Sequence, residues 1–412
     1  MTDRDLDRII ARMNAPRVTR RGFLAASGLT GFAAFLAACS SNGASTAPST
    51  AASTAPTTAP STAASTAASV APSGPPGGTG TTEGKLFMYN WADYVDLGNI
   101  ESFKAQYGVT EFTYDTFASN DEMISTLQGG KVGIWDVSAP TADLVPALVK
   151  GKFIQKIDWA KVPNAKYIGP NFKKQWWDPT DEYQLAKDWG TTGIGVRTKV
   201  VKEPVDSWKA FFELAPKYSG RIVVVNSSGD VLGPALKSLG YSLNTTDTTQ
   251  LEEMRQLLLK FAPHVLALNS DTYDAQLASE EAVLGLVWTG GLNDLKKKPE
   301  TADTQYIIPT DGTLYWVDTW VILADAPHPE AAHAFLNFIH DPQIQAIETE
   351  TNQYATPNEE AKKYISAATL NDTTVFVPEA IMNSGKLETS KDWSADTQRA
   401  DIWQEFSSKI GG

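Results

Sequence analysis

The stretch KLFMYNWADYVDLGNIESFKAQYG, Lys85 to Gly108, carries a strand, a turn and a helix in one short run. KLFMY, Lys85 to Tyr89, is an apolar segment of strand length. From Gly98 the apolar residues Ile100, Phe103 and Tyr107 recur at helical spacing, and Gly108 closes the helix. Between the two, YNWADYV places Trp91, Asp93 and Tyr94 at the strand exit. The same alternation continues downstream. TEFTYDTF reads as a strand, SNDEMISTLQGG as a helix with Asn120 as its cap and Gly129 as its stop, and IWDVSAP as a short strand before a helix from Thr141.

A second run follows WGTTGIGV, Trp189 to Val196. It holds a strand RIVVVN, a helix through LGPALKSLG, a longer amphipathic helix from Gln250, the strand AVLGLVW ending at Trp288, and a strand pair around TQYIIP and LYWVDTWVIL. A last helix, His328 to Pro342, turns Ala332, Phe335, Leu336 and Ile339 to one face. Strand and helix in alternation predict an α/β fold with a parallel or mixed sheet covered on both faces. The roughly 330 residues after Glu83 are enough for two lobes.

The N-terminus gives an address. A basic segment ends in TRRGFLA, Thr19 to Ala25, and runs into a short apolar stretch, Ala26 to Ala38. Twin arginines before Phe23 and Leu24 match a twin-arginine export signal, expected to span 1–38 and to be removed. LAAC, Leu36 to Cys39, is similar to the lipobox of bacterial lipoproteins, and Cys39 is the chain's one cysteine, so no intramolecular disulfide is available to it. Lipidation of Cys39 would tether the folded part outside the cell without threading the bilayer. Residues 39–83 are then expected to form a disordered Ser, Thr, Ala, Pro linker, because such a composition cannot bury enough apolar surface to offset its ordering entropy.

Charge narrows the partner. The chain carries 35 Lys+Arg against 48 Asp+Glu, a formal charge of −13, and cleavage before Cys39 leaves 29 against 45. That balance argues against nucleic acid and suits a cationic ligand. A metal centre finds no support: His328, His333 and His340 sit at spacings five and seven that share no helical face, and are expected as solvated helix residues. NSDTYDAQLASEE lacks the glycine and acid spacing of a calcium loop, GTTGIG is not a dinucleotide fingerprint, and NSSGD lacks the leading glycine of a nucleophile elbow. No cofactor is expected. Free N–H groups at NSSGD would suit an anion, but Asp230 at the same helix mouth repels one and faces a cation instead.

A cation reading gathers the remaining groups. LYWVDTW sets Asp318 two residues after Trp316, on one face of a strand. An ammonium is held by a carboxylate plus an aromatic face, and methylenes pack between indoles. In open α/β sheets ligands bind beyond the carboxyl ends of strands, where Trp91, Thr141, Ser227, Asp230 and Trp288 all fall. Two rivals stay open on the residues alone: a binder of a sugar, amino acid derivative or anion, and a secreted hydrolase using paired carboxylates.

At these residues the chain resembles the spermidine/putrescine-binding proteins of bacterial ABC transporters. The resemblance runs in order through YNWADYV, FASNDEMISTLQGG, WDVSAPT, WGTTGIGV, PVDSWKAFF, LGYSLNTTD, LGLVWTGG, LYWVDTWVI, FLNFIHDP and NQYATPN, covering Lys85 to Gly412. It implies a two-lobed periplasmic-binding-protein fold of type II, with the ligand cleft between lobe one (84–190 and 317–362) and lobe two (191–316 and 363–412). It also implies a non-enzymatic monomer that delivers a polyamine to permease subunits. By position, Trp91, Tyr94, Trp288, Trp316 and Tyr354 would form aromatic walls, Thr141 a hydroxyl contact, and Asp230 and Asp318 the ammonium partners. The chain departs from the family in having Ser227 in place of an acid, Asp143 in place of a tyrosine, Ala92 in place of a hydroxyl residue, and Lys187 and Asp188 in place of apolar residues before Trp189.

Overall fold

The computed structural model describes residues 82–391 and 396–410, all within one compact unit. The export signal, Cys39 and nearly all of the linker lie outside the described residues. Among the described residues eleven strands join in a single sheet. In chain order they are β1 (Lys85–Trp91), β2 (Glu111–Phe117), β3 (Val137–Ser138), β4 (Ile154–Gln155), β5 (Leu185–Arg197), β6 (Ile222–Val224), β7 (Val265–Leu268), β8 (Leu284–Trp288), β9 (Thr304–Ile307), β10 (Thr313–Leu323) and β11 (Leu387–Glu388). Their spatial order is β2-β1-β3-β10-β5-β8-β6-β7, with β4 and β11 beside β10 and β9 beside β5.

Each half of the sheet is parallel within itself: β1 pairs with β2 and β3, and β6 pairs with β7 and β8. Antiparallel β5 and β10 join the halves. The first residues of β5, Leu185 and Ala186, belong to one apolar core with Leu86, Met88, Phe103, Phe335 and Trp320. Further along the same strand, Ile194 and Val196 belong to a second core with Trp208, Phe211, Val223, Leu286 and Phe406. β10 runs the other way, from Leu314 and Trp316 in a small third cluster to Val317–Leu323 in the first core. Both chain crossings are therefore continuous strands. The expected pairing of TQYIIP with LYWVDTWVIL does not occur, because both run antiparallel to β5 and bond it at successive stretches of its length.

Local chemistry sets the helices. Asp96 accepts from the Asn99 N–H at the start of Leu97–Tyr107, and Gly108 ends that helix at φ 68, a left-handed position that glycine adopts without strain. For Asn120–Gln128 the cap is Ser119, which accepts from Glu122; Asn120, expected as the cap, is the first helical residue. The segment from Thr141 starts as a short 3₁₀ turn and becomes α-helical over Val145–Lys150. Pro329–Ile339 buries Ala332, Phe335, Leu336 and Ile339 as its pattern predicts. His333 and His340, expected in solvent, are buried with it. The ring Nδ1–H of His333 donates to the Pro329 carbonyl while Nε2 accepts from the Asp158 N–H, and Nε2–H of His340 donates to the Ala186 carbonyl. Burial lowers the His340 pKa to about 4, so it serves β5 as a neutral donor.

The glycines of WGTTGIG have a packing role at the crossing. Gly190 pairs with Trp316 across β5 and β10, and a Cβ there would stand 2.6 Å from Trp316 Cζ2. Gly290 plays the same part for Tyr354, whose ring would lie 2.8 Å from a Cβ. Gly190→Ala is thus expected to displace the Trp316 indole and destabilise the fold by about 1–3 kcal/mol in urea unfolding. Gly233→Ala, where a Cβ meets nothing nearer than 3.6 Å, should leave stability unchanged or slightly raised.

Candidate ligand-binding site

The carboxyl ends of the two parallel half-sheets point at one region. Trp91 is the last residue of β1 and Trp288 the last of β8. Thr141 bridges to Asp318 just past β3, and Ser227 caps the helix Ser228–Ser238 that follows β6, with Asp230 in its first turn. The crossing strands contribute Asp188, Trp316 and Asp318. Tyr354 enters from the end of the helix Pro342–Asn352, where Gln353 turns the chain at φ 58.

Tyr94 is the hub of one end. Its hydroxyl lies 2.5 Å from Asp188 Oδ1 and 2.6 Å from Asp318 Oδ2. A phenol has one proton to donate, so satisfying both contacts takes a second proton on one of the carboxyls. The two acids are direct partners across the β5–β10 ladder, and each is 6 % exposed. Burial pushes the Asp318 carboxyl up to about 7, the facing charge of Asp188 adds to the rise, and hydrogen bonds from Tyr94 and Thr141 and the charge of Lys187 oppose it. Lys187 completes this end. Its ammonium is 2.5 Å from Asp188 Oδ2 and 3.4 Å from the centre of the Tyr94 ring, a cation–π contact in a desolvated setting.

The other end is built on Asp230. Its carboxylate accepts from the Ser227 hydroxyl at 2.6 Å, from Trp288 Nε1 at 3.0 Å and from the Thr192 hydroxyl. Burial raises its pKa and these three donors oppose the rise. Aromatic rings connect the ends. Trp91 meets Trp288 edge-on at 5.9 Å, Tyr94 meets Tyr354 at 5.8 Å, and Trp316 meets Tyr354 at 5.0 Å. Trp288 and Tyr354 both pack against the small apolar cluster that contains Trp316. Beside Trp316 a cavity of about 10 Å³ is lined by Thr141, Asp143 and Ser390 among others. Asp143 accepts from the Ser390 hydroxyl there, and Thr141 accepts from the Asn120 amide at 2.8 Å.

Nine of the ten residues named from the sequence thus share this region through direct contacts, and Asp143 reaches it through the cavity at Trp316. Asp93, the acid within YNWADYV, does not join them: it is exposed and turns the chain at φ 52. Sequence reasoning noticed Lys187 and Asp188 only as departures and missed Glu348 and Thr192. Glu348, buried and pushed up to about 7, accepts from the Asn99 and Asn352 amides and the Asp96 N–H, which fixes the turn carrying Tyr94. An acid midway along the helix Pro342–Asn352 carries no local signal of such a role.

A family model described as bacterial extracellular solute-binding protein matches residues 99–376. The spermidine/putrescine-binding periplasmic protein of Escherichia coli is 32 % identical over 327 residues, 79 % of this chain and 91 % of that one. A putative spermidine/putrescine ABC transporter structure from Listeria monocytogenes superposes with a TM-score of 0.73 at 28 % identity, covering 79 % of this chain and 99 % of that one. The Tp0655 lipoprotein of Treponema pallidum does so at 0.68 and 28 %, covering 78 % and 99 %. The fold is accordingly the two-lobed one of periplasmic binding proteins.

The raised pKa of Asp318 makes this acid a stability liability. Below its unfolded value of 3.8 the carboxyl is protonated folded or unfolded and costs nothing; as pH climbs to about 7 only the unfolded chain ionises freely, and stability falls. Asp318→Asn should therefore raise the melting temperature of ligand-free protein at pH 8 by at least about 3 °C and change it little at pH 4, as read by calorimetry.

Proposed function

The chain belongs to the bacterial extracellular solute-binding proteins, and from that premise we propose that it captures a polyamine and delivers it to an ABC importer. The observation that carries the ligand is the pair of buried carboxylate stations, Asp318 at one end and Asp230 at the other, linked by a run of aromatic rings. Buried acids without a full complement of cations favour a ligand that brings positive charge, and indole faces favour the methylenes between ammoniums. The names of the relatives, spermidine/putrescine-binding, point the same way.

In this reading Asp318 and Asp230 each take one ammonium, and Trp91, Trp288, Trp316 and Tyr354 flank the chain between them. Tyr94 holds the two acids of its end in place, its hydroxyl shared between them and one ring face covered by Lys187. Thr141 and Ser227 orient Asp318 and Asp230, and Asp143 borders the cavity at Trp316. Lobe one is 84–190 with 317–362, and lobe two is 191–316 with 363–412. They open and close about β5 and β10, where both crossings pass. Export through the twin-arginine segment and a lipid on Cys39 would hold the monomer on the extracytoplasmic face of the cell membrane, within reach of the permease; the lipoprotein nature of the Treponema pallidum relative supports the anchor.

A ligand ammonium replaces the proton of Asp318, so binding couples to pH. Spermidine and putrescine titrated calorimetrically should bind more tightly as pH rises from 5.5 to 7, with proton release, and reach a plateau above about 7. The groups facing Asp318 there are Asp188, Tyr94, Thr141 and Lys187, whose ammonium is already committed to Asp188. Asp318→Ala is expected to weaken binding by about 2 kcal/mol or more, roughly thirtyfold. An affinity unchanged by that substitution removes Asp318 from the site, and absence of heat with either polyamine removes the polyamine.

A further inference from the structure

Lys187 is 2 % exposed, and its placement rests on an irregularity in β5. In a regular strand neighbouring residues point to opposite faces, so Lys187 and Asp188 would separate. The ladder breaks between Asp318 and Thr319: Asp318 pairs with Asp188, Thr319 pairs with Ala186, and Lys187 is the extra residue of a bulge. The bulge swings the lysine onto the face of its neighbour, where its ammonium reaches Asp188 Oδ2 at 2.5 Å and covers the Tyr94 ring at 3.4 Å. His340 donates to the Ala186 carbonyl at 2.7 Å, pinning the strand at the step before the bulge.

Carboxylate plus aromatic face is the very environment that a ligand ammonium seeks. We propose that Lys187 is a built-in ammonium that fills one such station, so that the site accepts a short diamine and discriminates against a triamine. The proposal rests on the polyamine reading above and refines it. The charge count at the Tyr94 end is two carboxylates, Asp188 and Asp318, less the one ammonium of Lys187. One negative charge remains there for a ligand, and one remains at Asp230. Glu348, the other buried acid near this lysine, is occupied by the Asn99 and Asn352 amides and the Asp96 N–H, and it holds the turn rather than offering a further station. Besides these acids a third ligand ammonium drawn into the site finds only Asp143, already engaged by the Ser390 hydroxyl at the cavity beside Trp316, and it meets Lys187 as a like charge. A buried charge without a partner is the costliest arrangement a binding site can contain, which turns the charge count into selectivity.

The test titrates the full chain with putrescine and with spermidine by calorimetry at pH 8, in wild type, Lys187→Met and Lys187→Met/Asp188→Asn, with circular dichroism as the check on folding. Wild type is expected to bind putrescine at least tenfold more tightly than spermidine. Lys187→Met, which frees Asp188, should shift that ratio at least tenfold toward spermidine, and the double variant, with the original net charge restored, should return it to within about threefold of wild type. Equal wild-type affinities overturn the proposal even if Lys187→Met does not fold, and so does a folded Lys187→Met with an unchanged ratio. A wild type that binds neither compound instead overturns the polyamine reading and this refinement with it, an outcome distinct from binding without selectivity.

Discussion

Asp188 and Asp318 face one another across the two strands that join the lobes, nearly dry and bridged by a single phenol. Like charges directly opposed in a ladder repel, and burial strengthens the repulsion. The chain relieves it in two ways. Lys187 neutralises Asp188 from within the strand, and Asp318, pushed up to about 7, keeps a proton that the phenol needs if it is to satisfy both acids. A bulge, a buried lysine and a shifted carboxyl are thus consequences of one juxtaposition. Placing it at the crossing strands also means that the charge state of the pair bears on the segment through which any opening of the lobes must pass.

Closure needs close approach as well as charge balance. The aromatic walls come from both lobes: Trp91 ends a strand of one and Trp288 a strand of the other, and their rings meet edge to face. Trp316 and Tyr354 reach their positions because the backbone opposite each carries a glycine, Gly190 and Gly290. Removing a side chain at two backbone positions lets two rings lie closer than any other residue would allow. Glu348 does the corresponding polar work behind Tyr94, tying the Asp96 turn to the helix Pro342–Asn352.

Much of this was legible in the sequence because it depends on order along the chain. Strand exits can be read from periodicity, and residues at strand exits of an α/β sheet converge, so Trp91, Thr141, Asp230 and Trp288 were recognisable before any coordinates. Asp318 and Trp316 followed from alternation within one strand. What was not legible depended on register. The bulge at Lys187 has no local sequence signal, since Lys-Asp in a strand reads as one residue in and one out; only the pairing with β10 shows both pointing one way. The pairing of TQYIIP was misjudged for the same reason, because nearness along the chain does not show that both strands bond β5 at successive stretches. The histidines read as solvated because a helix pattern gives the face of a residue but not the carbonyls waiting beyond it, and His333 and His340 each find one.

The distribution of buried acids argues for a site kept at the expense of stability. Asp318 and Glu348 are both shifted to about 7 by burial, and Asp230 is raised as well, so three carboxyls are held where ionisation is unfavourable. Their partners divide them. Glu348 is ringed by amide and backbone donors within one lobe, a structural arrangement that is complete in itself. Asp230 and Asp318 have hydroxyls and, for Asp230, an indole, neutral donors that orient a carboxylate without cancelling its charge. A fold selected for stability alone would have replaced such acids by apolar residues of similar size. Their retention, in a frame where Lys187 already shows how an ammonium settles between a carboxylate and a ring, supports the proposal of a site completed by positive charge from outside the chain.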